Sequence, residues 1–321
     1  MKIIKLSIAL LFSAALLSGC QGFSDLFSNG INVKLDSKVE MTPSNGLIKM
    51  SQKEVVAFDS DGTVQVIAFS DKSLNTSADL TSGKPVPVAD GEATIKPECD
   101  FYPNSVERPE ITVSLNNPSD KTVTENNATI TVDGKKLDSV AVEASAKSSG
   151  QTILSKDNMS GDLLASLAQK PESLKLSGGQ LQTKGAEVYT LDFWLKVPLV
   201  YKKGEVISID RTFQELGLTN LEIGQLGKTF KVQATVTNTL PFVINSQAES
   251  GEKVKANLDT PIKAGTPGNP STTDIVITVN CSEPVETISD AVIHLQFTAE
   301  EGAKITQDTK LTISYKNVNI K

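Results

Sequence analysis

The sequence predicts an all-β protein of two tandem β-sandwich domains, and three observations carry that reading. Apolar and polar residues alternate along many short runs, as in Phe230-Lys231-Val232-Gln233-Ala234-Thr235-Val236. That period of two belongs to a sheet with one face buried and one wet. Turn pairs punctuate the runs at Asp61-Gly62, Asp90-Gly91, Asp133-Gly134, Lys203-Gly204 and Ser250-Gly251. Asp-Gly between alternating strands is a hairpin signal, because glycine takes positive φ without a steric penalty. Helical periodicity, finally, is confined to one stretch. Many short strands with frequent turns build sandwiches or barrels.

In chain order, residues 1–19 read as a signal peptide. Lys2 and Lys5 precede an apolar run from Leu6 to Leu17. That run is shorter than the roughly 20 residues a spanning helix needs. It closes on Leu17-Ser18-Gly19-Cys20, which resembles a bacterial lipobox. The resemblance implies that the Cys20 sulfur is acylated and the residues before it removed. Residues 20–30 then form a lipidated tether. Strand-like runs follow at Glu54–Phe58, Thr63–Phe69, Ile111–Leu115, Ala128–Val132 and Ser139–Glu143. Later runs are Val188–Val197, Val206–Ile209, Phe230–Thr237, Asp274–Val279, Ala291–Thr298 and Lys310–Ile320. The helix begins at Ser160, a capping residue, with Asp162 at its positive end and an apolar stripe of Leu163, Leu164 and Leu167. Lys170 falls in its last turn and Pro171 stops it. The Pro171–Gly179 stretch, with Ser177-Gly178-Gly179, is the expected linker. It places immunoglobulin-like sandwiches at 31–171 and 172–321. The halves share a short pattern, a strand ending on Asn before Pro, at Asn116-Asn117-Pro118 and Asn238-Thr239-Leu240-Pro241. It hints at an internal repeat.

Composition narrows the classes of partner. The formal net charge is −7, and losing Lys2 and Lys5 makes the mature chain more acidic still. Such a chain suits neither nucleic acid, which selects basic faces, nor an anionic membrane surface. Acyl chains must therefore hold it at the membrane, each contributing about 0.8 kcal/mol per buried CH₂. Export puts Cys99 and Cys281 where a disulfide is allowed. Their wide separation in sequence favours two separate thiols, and two cysteines with one histidine do not make a zinc set.

Val55-Val56-Ala57-Phe58-Asp59-Ser60-Asp61-Gly62-Thr63 resembles the first motif of haloacid-dehalogenase-type phosphatases. The resemblance casts Asp59 as nucleophile and Asp61 as acid–base beside magnesium. That chemistry needs a parallel sheet wrapped by helices, and the chain after Thr63 shows no such alternation. A hairpin is the plainer reading, with a weak calcium site at the turn as a further option, although no EF-hand glutamate completes it. His294, the single histidine, reads as a half-exposed strand residue, and no Gly-x-Ser-x-Gly elbow accompanies it. Trp194 falls in the apolar run Tyr189–Tyr201, where core packing is expected. Phe101-Tyr102-Pro103 is the better candidate for an exposed aromatic contact, against the plainer reading of a packed loop.

Two further segments carry a family resemblance. Lys231-Val232-Gln233-Ala234-Thr235-Val236-Thr237-Asn238-Thr239-Leu240-Pro241-Phe242 is the first; Leu258-Asp259-Thr260-Pro261-Ile262-Lys263-Ala264-Gly265 with Ile275–Val279 is the second. Together they resemble the C-terminal β-domains of Bacteroidetes outer-membrane lipoproteins over residues 185–321. The resemblance implies an all-β protein anchored in the outer membrane and supplies no catalytic residues. Gln21-Gly22-Phe23-Ser24-Asp25 carries a single acid where surface-exported relatives have an acidic run. Gln21 fits transfer to the outer membrane, with the membrane face left open. Asp138-Ser139-Val140 resembles that phylum's O-glycosylation site at Ser139. The function expected is thus a non-catalytic structural or binding role at the cell envelope, without a cofactor or metal. A glycan- or peptide-binding accessory protein of a surface uptake system is the alternative, and a hydrolase the remote one.

Overall fold

The computed structural model describes residues 31–76, 86–87, 91–182, 188–218, 229–247, 253–282 and 291–320. Its first strands are β1 (Ile31–Met41), β2 (Glu54–Phe58), β3 (Val64–Phe69), β4 (Leu74–Thr76), β5 (Val86–Pro87) and β6 (Glu92–Ile95). Next come β7 (Glu110–Asn117), β8 (Val123–Val132), β9 (Lys135–Ala144), β10 (Ser148–Leu154) and the helix α1 (Gly161–Leu167). They are followed by β11 (Leu174–Ser177), β12 (Gln180–Gln182), β13 (Tyr189–Pro198) and β14 (Val206–Thr212). The last are β15 (Thr229–Asn238), β16 (Phe242–Ser246), β17 (Val254–Leu258), β18 (Ser271–Cys281), β19 (Val292–Ala299) and β20 (Leu311–Ile320). The all-β prediction holds, and every sheet is antiparallel.

The chain divides into two compact units, but not in tandem. One unit, here called the inserted unit, is Ile48–Lys202 with Gly302–Gln307; the flanking unit is Met1–Leu47, Lys203–Glu301 and Asp308–Lys321. The expected boundary at 171/172 is therefore corrected. β13 lies beyond that boundary yet sits in the middle of the inserted unit's sheet, bonded to β3 on one side and β7 on the other. Ser177-Gly178-Gly179 is not a linker. It joins β11 to β12, both of which pair with β8. A Cβ on Gly179 would stand 2.0 Å from the Asn126 carbonyl oxygen, so the glycine serves close backbone approach.

The strand order also departs from the immunoglobulin-like arrangement expected inside each sandwich. In the inserted unit, β3 pairs with β13, β6 with β11, β7 with β10 and β8 with β9. This is one long hairpin of four strands against four, wrapped so that its strands alternate between sheets β10-β7-β13-β3-β2 and β5-β12-β8-β11-β6. That winding is a jelly roll. The flanking unit repeats it: β1 pairs with β20, β14 with β19, β15 with β18, in sheets β1-β20-β15-β18-β17 and β14-β19-β16. The fifth strand differs, since β9 stays with β8 whereas β17 bonds to β18.

The recurring asparagines occupy equivalent places in that winding. Asn117 ends β7 and Asn238 ends β15, and both are buried. Each side-chain carbonyl accepts from the N–H two residues on, Ser119 at 3.0 Å and Leu240 at 2.7 Å. Each amide donates to the carbonyl four residues on, Lys121 at 2.7 Å and Phe242 at 3.2 Å. Each also donates to the returning chain: Asn117 to Ala144 and Ser145, Asn238 to Lys263. One side-chain amide thus ties the end of its own strand to the chain four residues on and to a segment more than twenty residues away.

Alternation supplies the cores. In the inserted unit Ile111, Val113, Leu115, Leu191, Phe193 and Leu195 face Ile130, Val140, Val142, Leu174 and Leu176. In the flanking unit Phe242 meets Phe297 edge-on at 6.1 Å among buried Phe230, Val232, Ile277 and Ile293. Asp133 and Gly134, at φ 48° and 81°, make the two-residue turn between β8 and β9. The helix starts as expected, with the Ser160 hydroxyl accepting from the Leu163 N–H and Leu163 and Leu167 buried. Lys170 lies beyond the helix, and its ammonium donates to the Cys99 carbonyl.

Candidate binding face

Asp59 and Asp61 lie where the sequence placed them, in the turn between β2 and β3, and the turn uses both. The Asp59 carboxylate accepts from the N–H groups of Asp61 and Thr63, and Asp61 accepts from the Thr63 N–H and hydroxyl. The other Asp61 oxygen meets the Lys304 ammonium at 2.8 Å. Its carboxyl is held well below the usual range, first by the hydrogen bond with Asp59, then by Lys304 and Thr63. Oδ1 of Asp59 and both oxygens of Asp61 are thus engaged in closing the hairpin and in the Lys304 pair.

The remaining expected residues divide. His294 is half-buried on β19, its Nδ1 2.7 Å from Asp210 on the neighbouring β14. Cys99 and Cys281 are free, buried thiols in different units, and burial pushes both thiol pKa values up. Phe101 and Tyr102 are buried, so the loop packs inward instead of offering an aromatic contact. Ser139 is exposed on β9. Its neighbour Asp138 accepts from the backbone N–H groups of Ser139 and Ser160, which fixes the start of the helix. Cys20 and the rest of residues 1–30 fall outside the described residues.

Trp194 is the largest departure from expectation. Along β13, Tyr189, Leu191, Phe193, Leu195 and Val197 point inward, so Thr190, Asp192, Trp194 and Lys196 lie on the opposite, wetter face. Register then sets Trp194 beside Phe69 of β3 and Thr112 of β7, with Ile153 of β10 beyond. Phe69 is 41% exposed and Ile153 48%. The Phe69 and Trp194 rings lie 6.3 Å apart, tilted by 46°. Phe69, the half-buried Trp194 and Ile153 thus stand level across the sheet, with the buried Thr112 of β7 between Trp194 and Ile153.

Polar rows run alongside. Asp192, Ser114 and Gln151 stand level, and the Ser73 hydroxyl donates to Asp192. One step further, Thr190, Asn116 and Ser149 stand level with Asn75, joined through Thr190–Asn75 and Ser149–Asn116 hydrogen bonds. On the other side Lys196 pairs with Glu110. A cleft of about 380 Å³ opens beside the rings, where Lys53, Lys72, Asp71 and Asp192 are the charged groups. Phe69 and Asp192 were not singled out from the sequence, although the strand's own phase assigns both to this face.

A second group was missed altogether. Glu125, on β8, is buried; one oxygen accepts from the Gly179 N–H at 2.7 Å and the other has no hydrogen-bond partner. Burial pushes its pKa up to about 7, against the backbone hydrogen bonds from Gly179 and Ala128 that lower it. Among the described residues no three His, Cys, Asp or Glu side chains are grouped to hold a metal. None of the described helices is long and apolar enough to cross a membrane.

No family profile matches the chain, and no curated protein matches it. Among solved structures it is similar to a Parabacteroides distasonis protein described as secreted, at 13% identity and a TM-score of 0.35. That match covers 89% of this chain and 100% of the other. It is also similar to the N-terminal tandem CBM22 domain of Xyn10C from Paenibacillus barcinonensis, at 11% identity and a TM-score of 0.19, over 89% of this chain and 98% of that one. Likeness at this level leaves ligand and role to be argued from the residues.

Proposed function

We propose that the protein is a lipid-anchored component of the cell envelope, held in the outer membrane by acyl chains on Cys20, with a binding role and no catalysis. One observation carries the binding role: Trp194, the single tryptophan, stands on an open sheet face beside an exposed Phe69. Trp194 is half-buried and Phe69 is 41% exposed, so the pair leaves aromatic surface in reach of solvent on this face, and an aromatic pair so placed supports a binding role. The engagement of Asp59 and Asp61 in a turn supports the non-catalytic half. The lipobox-like Leu17-Ser18-Gly19-Cys20 supports the anchor.

Each half has its own test. Cys20→Ala should abolish fatty-acid labelling and release the protein from membranes; a variant that still labels and sediments with membranes refutes the anchor. Phosphomonoester turnover with magnesium, lost in Asp59→Asn, refutes the non-catalytic reading.

A further inference from the structure

We infer that the Trp194 face binds a neutral saccharide chain, lying across the strands with sugar rings against Trp194 and Phe69. This rests on the reading of that face as a binding site and adds the ligand's chemistry. A sugar ring has an apolar C–H side that stacks on an aromatic ring and a rim of hydroxyls that both donate and accept. The face presents both: exposed Phe69 beside half-buried Trp194, with exposed Ile153 beyond the buried Thr112, and alongside them Gln151 and Asp192 on either side of the buried Ser114. Short side chains such as Ser73, Thr190 and Asn116 extend the hydrogen-bonding strip.

Charge decides against an acidic glycan. The cleft holds two lysines, Lys53 and Lys72, and two aspartates, Asp71 and Asp192, so it offers no net positive field for uronate, sulfate or phosphate. Reach agrees with an oligomer: from β10 to β3 there are three strand gaps of about 4.8 Å, or about 14 Å of platform. A peptide suits the site less well. Extended peptides add to a sheet through backbone bonds at an edge strand, whereas β13 is flanked on both sides by β7 and β3.

The single tryptophan makes the test direct, since its emission reports this face alone. The chain from residue 21 keeps every described residue and is titrated with soluble xylan, dextran and laminarin. Polygalacturonate serves as the acidic arm and a casein digest as the peptide arm. Binding is followed by tryptophan emission and by retardation in polysaccharide-containing native gels. At least one neutral polysaccharide should shift emission and retard the protein, insensitively to about 0.5 M NaCl, which screens charge contacts. Phe69→Ala, which keeps the reporter, should weaken that binding about tenfold with the far-UV spectrum and melting unchanged, the loss of one stacking contact. Trp194→Ala should weaken it at least as much in the gel.

No response to any neutral polysaccharide overturns the saccharide assignment. So does a response confined to polygalacturonate and abolished by salt. If only the peptide arm shifts emission, the saccharide fails while the binding face stands. If no arm does, both fail. Neutral binding that survives both Phe69→Ala and Trp194→Ala places the site elsewhere and refutes the inference.

Discussion

Replacing Asn117 by alanine tests the structural role of the recurring asparagines. The two amide N–H groups are shared among the carbonyls of Lys121, Ala144 and Ser145, and the side-chain oxygen accepts from the Ser119 N–H and hydroxyl, the equivalent of four hydrogen bonds. Each is worth about 1 kcal/mol net, and a buried carbonyl left without a partner costs about 1–3 kcal/mol. Water can reach the partly buried carbonyls, so the expected loss is about 4 kcal/mol. Asn238→Ala breaks three bonds and should cost about 3 kcal/mol. The assay is urea unfolding of the chain from residue 21, by far-UV circular dichroism and by tryptophan emission. Trp194 lies in the inserted unit, so emission follows that unit. With an m-value of about 2 kcal/mol/M, Asn117→Ala should lower the emission midpoint by about 2 M. Asn117→Asp keeps the accepting oxygen but turns a carboxylate towards carbonyls, so it should be no better than alanine. A loss below about 1 kcal/mol in Asn117→Ala would show that solvent or relaxed backbone satisfies those carbonyls, and the argument from the shared asparagine would fall.

Two more outcomes follow from the same structure. Glu125 has a folded pKa of about 7, raised above its ordinary 4.5 by burial. Its contribution is therefore fully present below pH 4.5, declines as pH rises through 7 and is flat above. Denaturation midpoints across that window should fall in the native chain relative to Glu125→Gln. The variant should gain up to about 3 kcal/mol at pH 8, and identical pH profiles would refute the burial of that charge. A fragment starting at residue 180 should fail to melt cooperatively, because it carries β13 without β3 and β7 and lacks β1 beside β20. A sharp transition in that fragment would restore the tandem boundary.

Strand identity was largely legible because burial on one face imposes a period of two, and Phe230–Thr237 or Asp274–Val279 read as strands unaided. What alternation cannot carry is which strand pairs with which. Jelly-roll and immunoglobulin-like sandwiches demand the same alternating pattern and differ only in long-range partners, so β13 looked like the start of a domain instead of the middle of a sheet. Glycine misled for a related reason. Gly179 meets the Asn126 carbonyl, and a residue that permits close approach looks in sequence like one that permits flexibility.

The site was half legible by the same rule. Tyr189, Leu191, Phe193 and Leu195 fix the inward phase of β13, and that phase alone sends Trp194 outward. Treating the run as uniformly apolar hid it. Phe69 could be paired with Trp194 only through the register of β3 on β13. Glu125 left no trace at all, since a charged residue at an inward position of β8 looks like a break in the strand until its hydrogen bond to the Gly179 N–H is seen.

The nested order of the chain has a physical reason of its own. A unit can interrupt another only if the points where the chain comes in and leaves lie close together. The jelly-roll winding guarantees this, because its first and last strands are neighbours. In the inserted unit Gln65, near the start of β3, stands directly opposite Pro198, at the end of β13. Once the Ile48–Lys202 segment of that unit has folded, the flanking unit no longer closes a loop of about 150 residues between β1 and β14 but one of about ten, lowering the closure cost by about 2 kcal/mol. The order of events that follows is that the inserted unit folds first and the β1–β20 ladder closes after it. Emission from Trp194 should then recover ahead of the far-UV signal on dilution from urea. Simultaneous recovery would mean that the insertion gives no kinetic advantage to the strands on either side of it.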